Sequence, residues 1–515
     1  MKLLLLIETL RHLTLTQVLY QVRHKLIKPQ LGAEKHPPVK FLTTMASAIV
    51  KPRCYEGGGK FTFLNITDEF RGWQMQEHGA LWTYNLNYMD WLEQDGMSEE
   101  EALAWIDRYI NDLPGNRVGQ DPYPTALRLI NWVKFFTRHP QLRTQERMDS
   151  MFAQTRLLQR SLEYHLMGNH LLEDAYALFI CSVFFCDQSL FEKAKTLLLS
   201  QLEEQILPDG AHYEQSSMYH CILLDRLLDC INFSTNNLFF SHQEAFNEQM
   251  KGYAGRMLGH LNAIRYKDES LPLMNDAAEG IAPTVRQLFD YAQRLNVSWE
   301  KMPMGACGYR RLTLGEWEVT VDVGNITAVH QPGHSHADTF NFELRVGGAP
   351  IVVDTGVSTY NKNERRQYER STAAHNTVTI NGQDSSRVWG GFRVGKRARV
   401  TLFKDEPFEV MARHDGFGRA IHQRRFLLGE DTFVVEDLVL CSGEAAVCRL
   451  YLAPGLHARQ VADGELAVGT LTVAFEGYQR IEIQHDDVSV EYNRLQDCEV
   501  ICVTFVRWLS TLWKR

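Results

Sequence analysis

Residue usage changes near position 300. Residues 1–300 carry 44 Leu and 9 Val, whereas residues 301–515 carry 16 Leu and 25 Val. Leucine suits helices and β-branched valine suits pleated sheets, so the chain reads as a helical domain followed by a β domain. Periodicity agrees. SEEEALAWIDRYINDL, ERMDSMFAQTRLLQRSLEYHL, HLLEDAYALFICSVFF and SLFEKAKTLLLSQLEEQIL repeat apolar residues at helical spacing. Short connections such as CDQS and LPDG make neighbouring helices antiparallel. After residue 310 the period drops to two: Trp317, Val319, Val321 and Val323 alternate with polar residues, as do Phe340, Phe342, Leu344 and Val346. Many short strands bounded by Gly, Asn or Asp predict antiparallel strands in a sandwich or in stacked sheets. The chain therefore divides into a helical domain over residues 1–300, with residues 1–50 as a helical extension, and a β domain over 301–515.

A net charge of −9 and a pI near 6.1 exclude a globally basic nucleic-acid binder. Ten scattered cysteines, Cys441 among them, show no CxxC spacing, so neither a disulfide framework nor a cysteine zinc site is expected. The opening run MKLLLLIETLRHLTLTQVLYQVRHKL places five apolar residues after Lys2 and then stops at Glu8. A signal peptide needs roughly 7–15 apolar residues and a membrane span about 20. The run is expected to form an amphipathic helix with Leu6, Leu10, Leu13 and Val18 or Leu19 on one side, in a cytoplasmic rather than periplasmic protein without a membrane span.

Reactive side chains concentrate in HQPGHSHADTFNFELRVGGAPIVVDTG and RRQYERSTAAHNTVTING. His334 and His336 are two apart, so on extended backbone both imidazoles point to one side. Asp354 ends one strand and His375 precedes another; with His336 they make a two-nitrogen, one-oxygen set suited to zinc, or they simply bond loop ends. A second group lies in MGNHLLEDAYAL. Gly168 fits a turn into a helix, leaving Asn169 and His170 in its first turn, where free N–H groups attract anions, with Glu173 on the face of Asn169. Asn169 as a plain cap and His170 as a packed side chain are the alternatives. The turn Pro208–Gly210 delivers Tyr213, Glu214 and Tyr219 to another helix start; either tyrosine can instead be buried. Arg365, Arg366 and Arg370 are candidates to hold planar anions, and Trp82, Tyr84, Tyr88 and Trp389 to stack on sugars.

The segments GNHLLEDAYAL, DGAHYEQSSMYH, LPLMNDAAEGIAP, GHSHADTFNFELRVGGAPIVVDTGVSTY and RSTAAHNTVTING resemble the heparinase II/III family of polysaccharide lyases, which includes related alginate lyases. The resemblance runs from about residue 80 to about 400 with motif order intact. It implies an α+β multidomain fold: an incomplete α/α toroid followed by an antiparallel β-sandwich, with the active site in the cleft between them. It implies that Asn169 and His170 neutralise a uronate carboxylate and that Glu173 is an acidic neighbour. Tyr219, or Tyr213 in another register, matches the catalytic tyrosine, and His334 the second acid/base residue. His336, Asp354 and His375 match metal ligands, usually for zinc.

This chemistry is β-elimination. The enzyme neutralises the carboxylate, removes the adjacent C5 proton through Tyr219 or His334, and protonates the departing O4. Glu173, Tyr213, Glu214 and Arg370 are expected to contact an acidic poly- or oligosaccharide. Zinc would be structural, since no HExxH motif accompanies it. Two other readings stand beside the lyase. A glycoside hydrolase would draw on Glu173, Asp174, Asp209 or Glu214. A non-catalytic glycan-binding protein would act beside capsule or exopolysaccharide assembly.

Overall fold

The computed structural model describes residues 2–36, 41–440, 443 and 445–515; Cys441 lies outside them. The chain opens with α1 (Lys2–Leu10) and α2 (Leu15–Leu26). These are two helices rather than the one expected, because Thr14 interrupts the run: its side chain accepts from the Gln17 amide and the Gln17 side chain accepts from the Thr14 amide. The apolar residues of this run do not turn to the core. Leu6, Leu10, Val18 and Leu19 are all exposed.

A small antiparallel meander, β1 (Tyr55–Gly57), β2 (Lys60–Phe63) and β3 (Ile66–Glu69), lies inside the region read as helical. It survives there because Tyr55 and Phe61 pack edge-on against Trp105 and join the helical core. The toroid follows as α3 (Ala80–Tyr88), α4 (Glu99–Asp112), α5 (Pro122–Arg138), α6 (Gln145–Ser161), α7 (Gly168–Phe184), α8 (Gln188–Gln205), α9 (Ser217–Thr235), α10 (Gln243–Ile264) and α11 (Val285–Arg294). Helix α7 is central. Of its seventeen residues all but His170 are buried, as expected of a helix apolar on every side.

In the β domain, β4 (Tyr309–Leu314), β5 (Trp317–Asp322), β6 (Phe342–Val346) and β7 (Ala349–Val352) form a four-stranded antiparallel sheet. A ten-stranded sheet collects later strands between Val378 and Lys514, ending in a long hairpin whose arms, Leu471–Glu491 and Arg494–Lys514, pair in register Ile483↔Ile501. Val319, Phe342 and Leu344 of the small sheet share one core with Phe426, Val435 and Val503 of the large one, which makes the two sheets a sandwich. Toroid and sandwich meet through a separate apolar cluster that includes Met218, Ala277, Val357 and Tyr492. That contact forms the floor from which the polar residues described next emerge.

Candidate active site

Three loop ends meet above this floor. Met167 and Gly168 take left-handed backbone, with φ of 62° and 61°, and turn the chain into α7. A Cβ on Gly168 would lie 2.5 Å from Glu214 Oε1, so the close approach of the two segments requires glycine. Ser216 caps α9 by accepting from the Tyr219 amide (3.2 Å), and its hydroxyl donates to the Asp276 carbonyl (2.6 Å). The Asp276 amide in turn donates to the His334 carbonyl (3.1 Å), and Asn275 Oδ1 accepts from the His336 amide (2.8 Å).

His334 sits where these segments cross. Its Nδ1 is 2.9 Å from Asp276 Oδ2 and 3.2 Å from the Tyr360 hydroxyl; its Nε2 is 3.4 Å from Asn169 Nδ2. Its ring lies 4.0 Å from that of Tyr219, whose hydroxyl is 3.2 Å from that of Tyr360. Tyr219 and Tyr360 are half-buried and His334 is 7% exposed, so the cluster reaches solvent. Burial raises the Tyr219 phenol well above its ordinary range, which keeps the proton on oxygen at neutral pH. Asp276 is fully buried and bridges His334, His336 (2.8 Å) and both terminal nitrogens of Arg366. Burial alone would raise its carboxyl, but Arg366 and the two histidines hold it well below the usual carboxylate range.

His170 points elsewhere on the same cleft. Its Nδ1 is 3.0 Å from Glu163 Oε2, and its ring lies 4.5 Å from Tyr123. Burial lowers its pKa, but Glu163, with Glu214 and Glu173, outweighs burial, so the net shift is upward and the imidazolium is favoured. Tyr123, Tyr88 and Tyr84 continue as an aromatic wall with ring separations of 5.8 and 6.2 Å.

Several expected contacts are displaced. Glu214 does not face a ligand: it is 1% exposed and its carboxylate accepts from the Asn169 amide (2.8 Å) and from Asn169 Nδ2 (3.0 Å), filling the anion position at the start of α7. Glu173 is fully buried in the toroid, 3.8 Å from Arg226, and burial raises its carboxyl to about 7. Tyr213 is 4% exposed with its hydroxyl enclosed, which leaves Tyr219 as the tyrosine at the cleft. Arg370 is fully buried and donates to the Ser335 carbonyl (2.7 Å), so it braces the His334–His336 segment instead of lining a groove. Trp389 donates to Thr9 of α1 (3.1 Å), and Trp82 is a core residue. Asp276 and Tyr360 were assigned no role from sequence, although both fall inside the quoted motifs; a lone Asp or Tyr in a loop carries no periodicity to mark it.

The expected metal residues are close but differently paired. His375 Nδ1 is 2.7 Å from Asp354 Oδ2, while His336 Nε2 engages Asp276. The His336 and His375 rings are 5.3 Å apart, and His336 Nδ1 and His375 Nε2 are buried with no hydrogen-bond partner among the described residues. Among the described residues, the trio whose ligand atoms lie within 4.8 Å of one another is instead Asp209, His260 and Cys307. Two orphaned imidazole nitrogens beside a buried carboxylate fit the donor chemistry of zinc.

Residues 75–298 match the model of the heparinase II/III N-terminus and residues 297–508 that of the heparinase II/III-like C-terminal domain. The chain belongs to the heparinase II/III-like family. It is 23% identical over 341 residues to a heparin-sulfate lyase of Pedobacter heparinus, covering 60% of this chain and 49% of that protein; the chain spans about half the length of this relative. The heparinase II/III-like fold recurs in a solved heparinase III (TM-score 0.67, 16% identity, 86% of this chain and 79% of that one). It recurs also in the heparan sulfate lyase HepC of Pedobacter heparinus (TM-score 0.57, 14% identity, 97% and 87%). Residues 1–74, including α1 and α2, precede the matched region of this heparinase II/III-like chain.

Proposed function

We propose that this heparinase II/III-like chain is a polysaccharide lyase that cleaves a uronic-acid-containing glycan by β-elimination in the cleft between toroid and sandwich. The observation that carries the reading is His334, placed between the Asp276 carboxylate and the Asn169 amide with the Tyr219 ring against it. Asp276, held ionised, accepts a hydrogen bond from Nδ1–H and so leaves Nε2 as the accepting nitrogen.

The His170 imidazolium and the Asn169 amide neutralise the uronate carboxylate, which lowers the cost of charge building on C5. His334 Nε2 removes the C5 proton. The C4–C5 double bond forms as the C4–O4 bond breaks, and the Tyr219 hydroxyl, kept protonated, supplies the proton to O4. The proton gained at Nε2 and the one lost from Tyr219 are exchanged with solvent, which the half-exposed cluster reaches, while Tyr360 orients the Tyr219 hydroxyl. Tyr84 and Tyr123, backed by the buried Tyr88, offer stacking surface for flanking sugars. His336, His375 and Asp354 would hold zinc, which when bound would supply a structural cross-link under the His334 segment.

The carboxylates that a hydrolase would need, Glu173, Asp174, Asp209 and Glu214, are all at most 4% exposed, which favours elimination. The test is digestion of a panel of uronate polymers (heparan, chondroitin, hyaluronan, alginate and bacterial exopolysaccharides) with ultraviolet detection of the unsaturated product. Reducing ends released without that absorbance would establish hydrolysis; saturable binding without product would establish a binding protein.

A further inference from the structure

Helix α2 is mounted with its apolar side outward, and we propose that this face docks the protein on an anionic lipid surface. At 100° per residue, with Leu15 as zero, Leu19, Val22 and Leu26 fall within about 40° of it. These four side chains are 84%, 68%, 54% and 79% exposed. Arg23 and Lys25 fall about 80° to either side of the stripe. Gln17, Tyr20 and His24 occupy the opposite half.

That opposite half is fixed to the protein by specific contacts, so the orientation is not loose packing. Gln17, 2% exposed, donates to the carbonyls of Leu166 (3.3 Å) and His330 (3.1 Å). Tyr20 lies 4.7 Å from the Tyr164 ring, and His24 stacks on His165 at 4.3 Å. A helix on a protein surface ordinarily turns its apolar stripe to the core. Helix α1 repeats the exception with Leu3, Ile7 and Leu10 exposed.

Charge selects the occupant. Arg11, Arg23, Lys25 and Lys28 are exposed, and none forms an ion pair among the described residues. The one acidic residue in 1–28, Glu8, is engaged by Arg387 (2.8 Å) and the Lys396 amide (3.2 Å). A cationic, apolar face on a chain of net charge −9 is a local feature. An apolar stripe flanked on both sides by cations fits the headgroup and acyl boundary of an anionic leaflet, with the long basic side chains reaching back to the phosphates. Among the described residues no helix is long and apolar enough to cross a membrane, so the contact is in-plane.

The test is co-sedimentation of the full chain with vesicles of phosphatidylcholine alone or mixed with phosphatidylglycerol, with sedimentation velocity on the protein by itself. Binding at least tenfold stronger to the mixed vesicles, weakened by salt, is expected. Leu19→Glu/Leu26→Glu and, separately, Arg23→Gln/Lys25→Gln should each reduce it at least tenfold with an unchanged thermal midpoint. No preference for anionic vesicles, or binding that survives both variants, would overturn the proposal. So would a concentration-dependent dimer that the leucine substitutions abolish, since the face would then belong to a second copy.

Discussion

The Tyr219 and His334 rings lie 4.0 Å apart, one delivered by the first turn of a toroid helix and the other by a loop of the β domain. Acid and base of the proposed reaction thus come from different domains, and the cleft between them is where a glycan must pass. Tyr219→Phe removes only the hydroxyl, whose nearest partner is Tyr360 at 3.2 Å. Turnover should fall by roughly 10²–10⁴ with an unchanged thermal midpoint, the usual scale for losing a positioned general acid. Steady-state kinetics on the best uronate polymer checks this; near-normal turnover would remove Tyr219 from the mechanism.

Asp276 neutralises Arg366 and holds both His334 and His336. Asp276→Asn leaves a fully buried guanidinium without its counter-charge, which costs about 3–5 kcal/mol. Chemical denaturation should show that loss together with loss of activity. Tyr360→Phe, which touches the same histidine from the half-exposed side, should lower turnover at wild-type stability.

How much of this was legible in the sequence depended on range. The Gly168 turn into α7 was readable because a glycine, two polar residues and a helical repeat sit next to one another. The Asp276–His334 contact was not, since it joins loops 58 residues apart through backbone bonds that no local pattern marks. Burial was equally hidden. Arg366 and Arg370 read as a surface cluster, yet both are fully enclosed, one by a carboxylate and one by a carbonyl. Helix α2 shows the converse: its stripe was legible, but which way it faced depended on Gln17 finding two carbonyls far along the chain.

His336 and His375 each offer one unpartnered buried nitrogen, and the second nitrogen of His375 is bonded to Asp354. Freshly purified protein should contain about one zinc per chain, and a strong chelator should lower both metal content and thermal midpoint. His375→Ala should do the same without chelator. Metal analysis by mass spectrometry, read beside a melting curve, decides it: absence of zinc with full stability would assign the residues to hydrogen bonding alone.

Glu173 carries a pH-dependent penalty. Its carboxyl is raised to about 7 in the folded protein against an ordinary value of 4.5, with burial as the largest cause. Between those values the folded state holds the proton that the unfolded state has released, so this residue's contribution to stability falls as pH rises towards 7 and stays low above it. The full effect is at most ~3 kcal/mol. Arg226 also has Asp90, Asp225 and Asp229 within 3.7 Å, so it does not depend on Glu173. Glu173→Gln should therefore be more stable than wild type at pH 8, with the gain shrinking towards pH 4.5. An equal gain at both pH values would refute an ionisation origin.

His170 should set the alkaline limit of substrate capture. Its pKa is the outcome of burial, which lowers it, and of Glu163 at 3.0 Å with Glu214 and Glu173 behind it, which together raise it further than burial lowers it. The cation is present below that pKa and lost above it, so KM for a uronate substrate should rise as pH increases through it while kcat changes less. Glu163→Gln removes the nearest of these anions and shifts the balance towards burial. The rise in KM should then begin at lower pH, and His170→Gln should abolish it, leaving a uniformly high KM. Profiles of KM against pH for the three proteins separate these outcomes. An unshifted profile in Glu163→Gln would mean that the substrate carboxylate is held by groups other than His170.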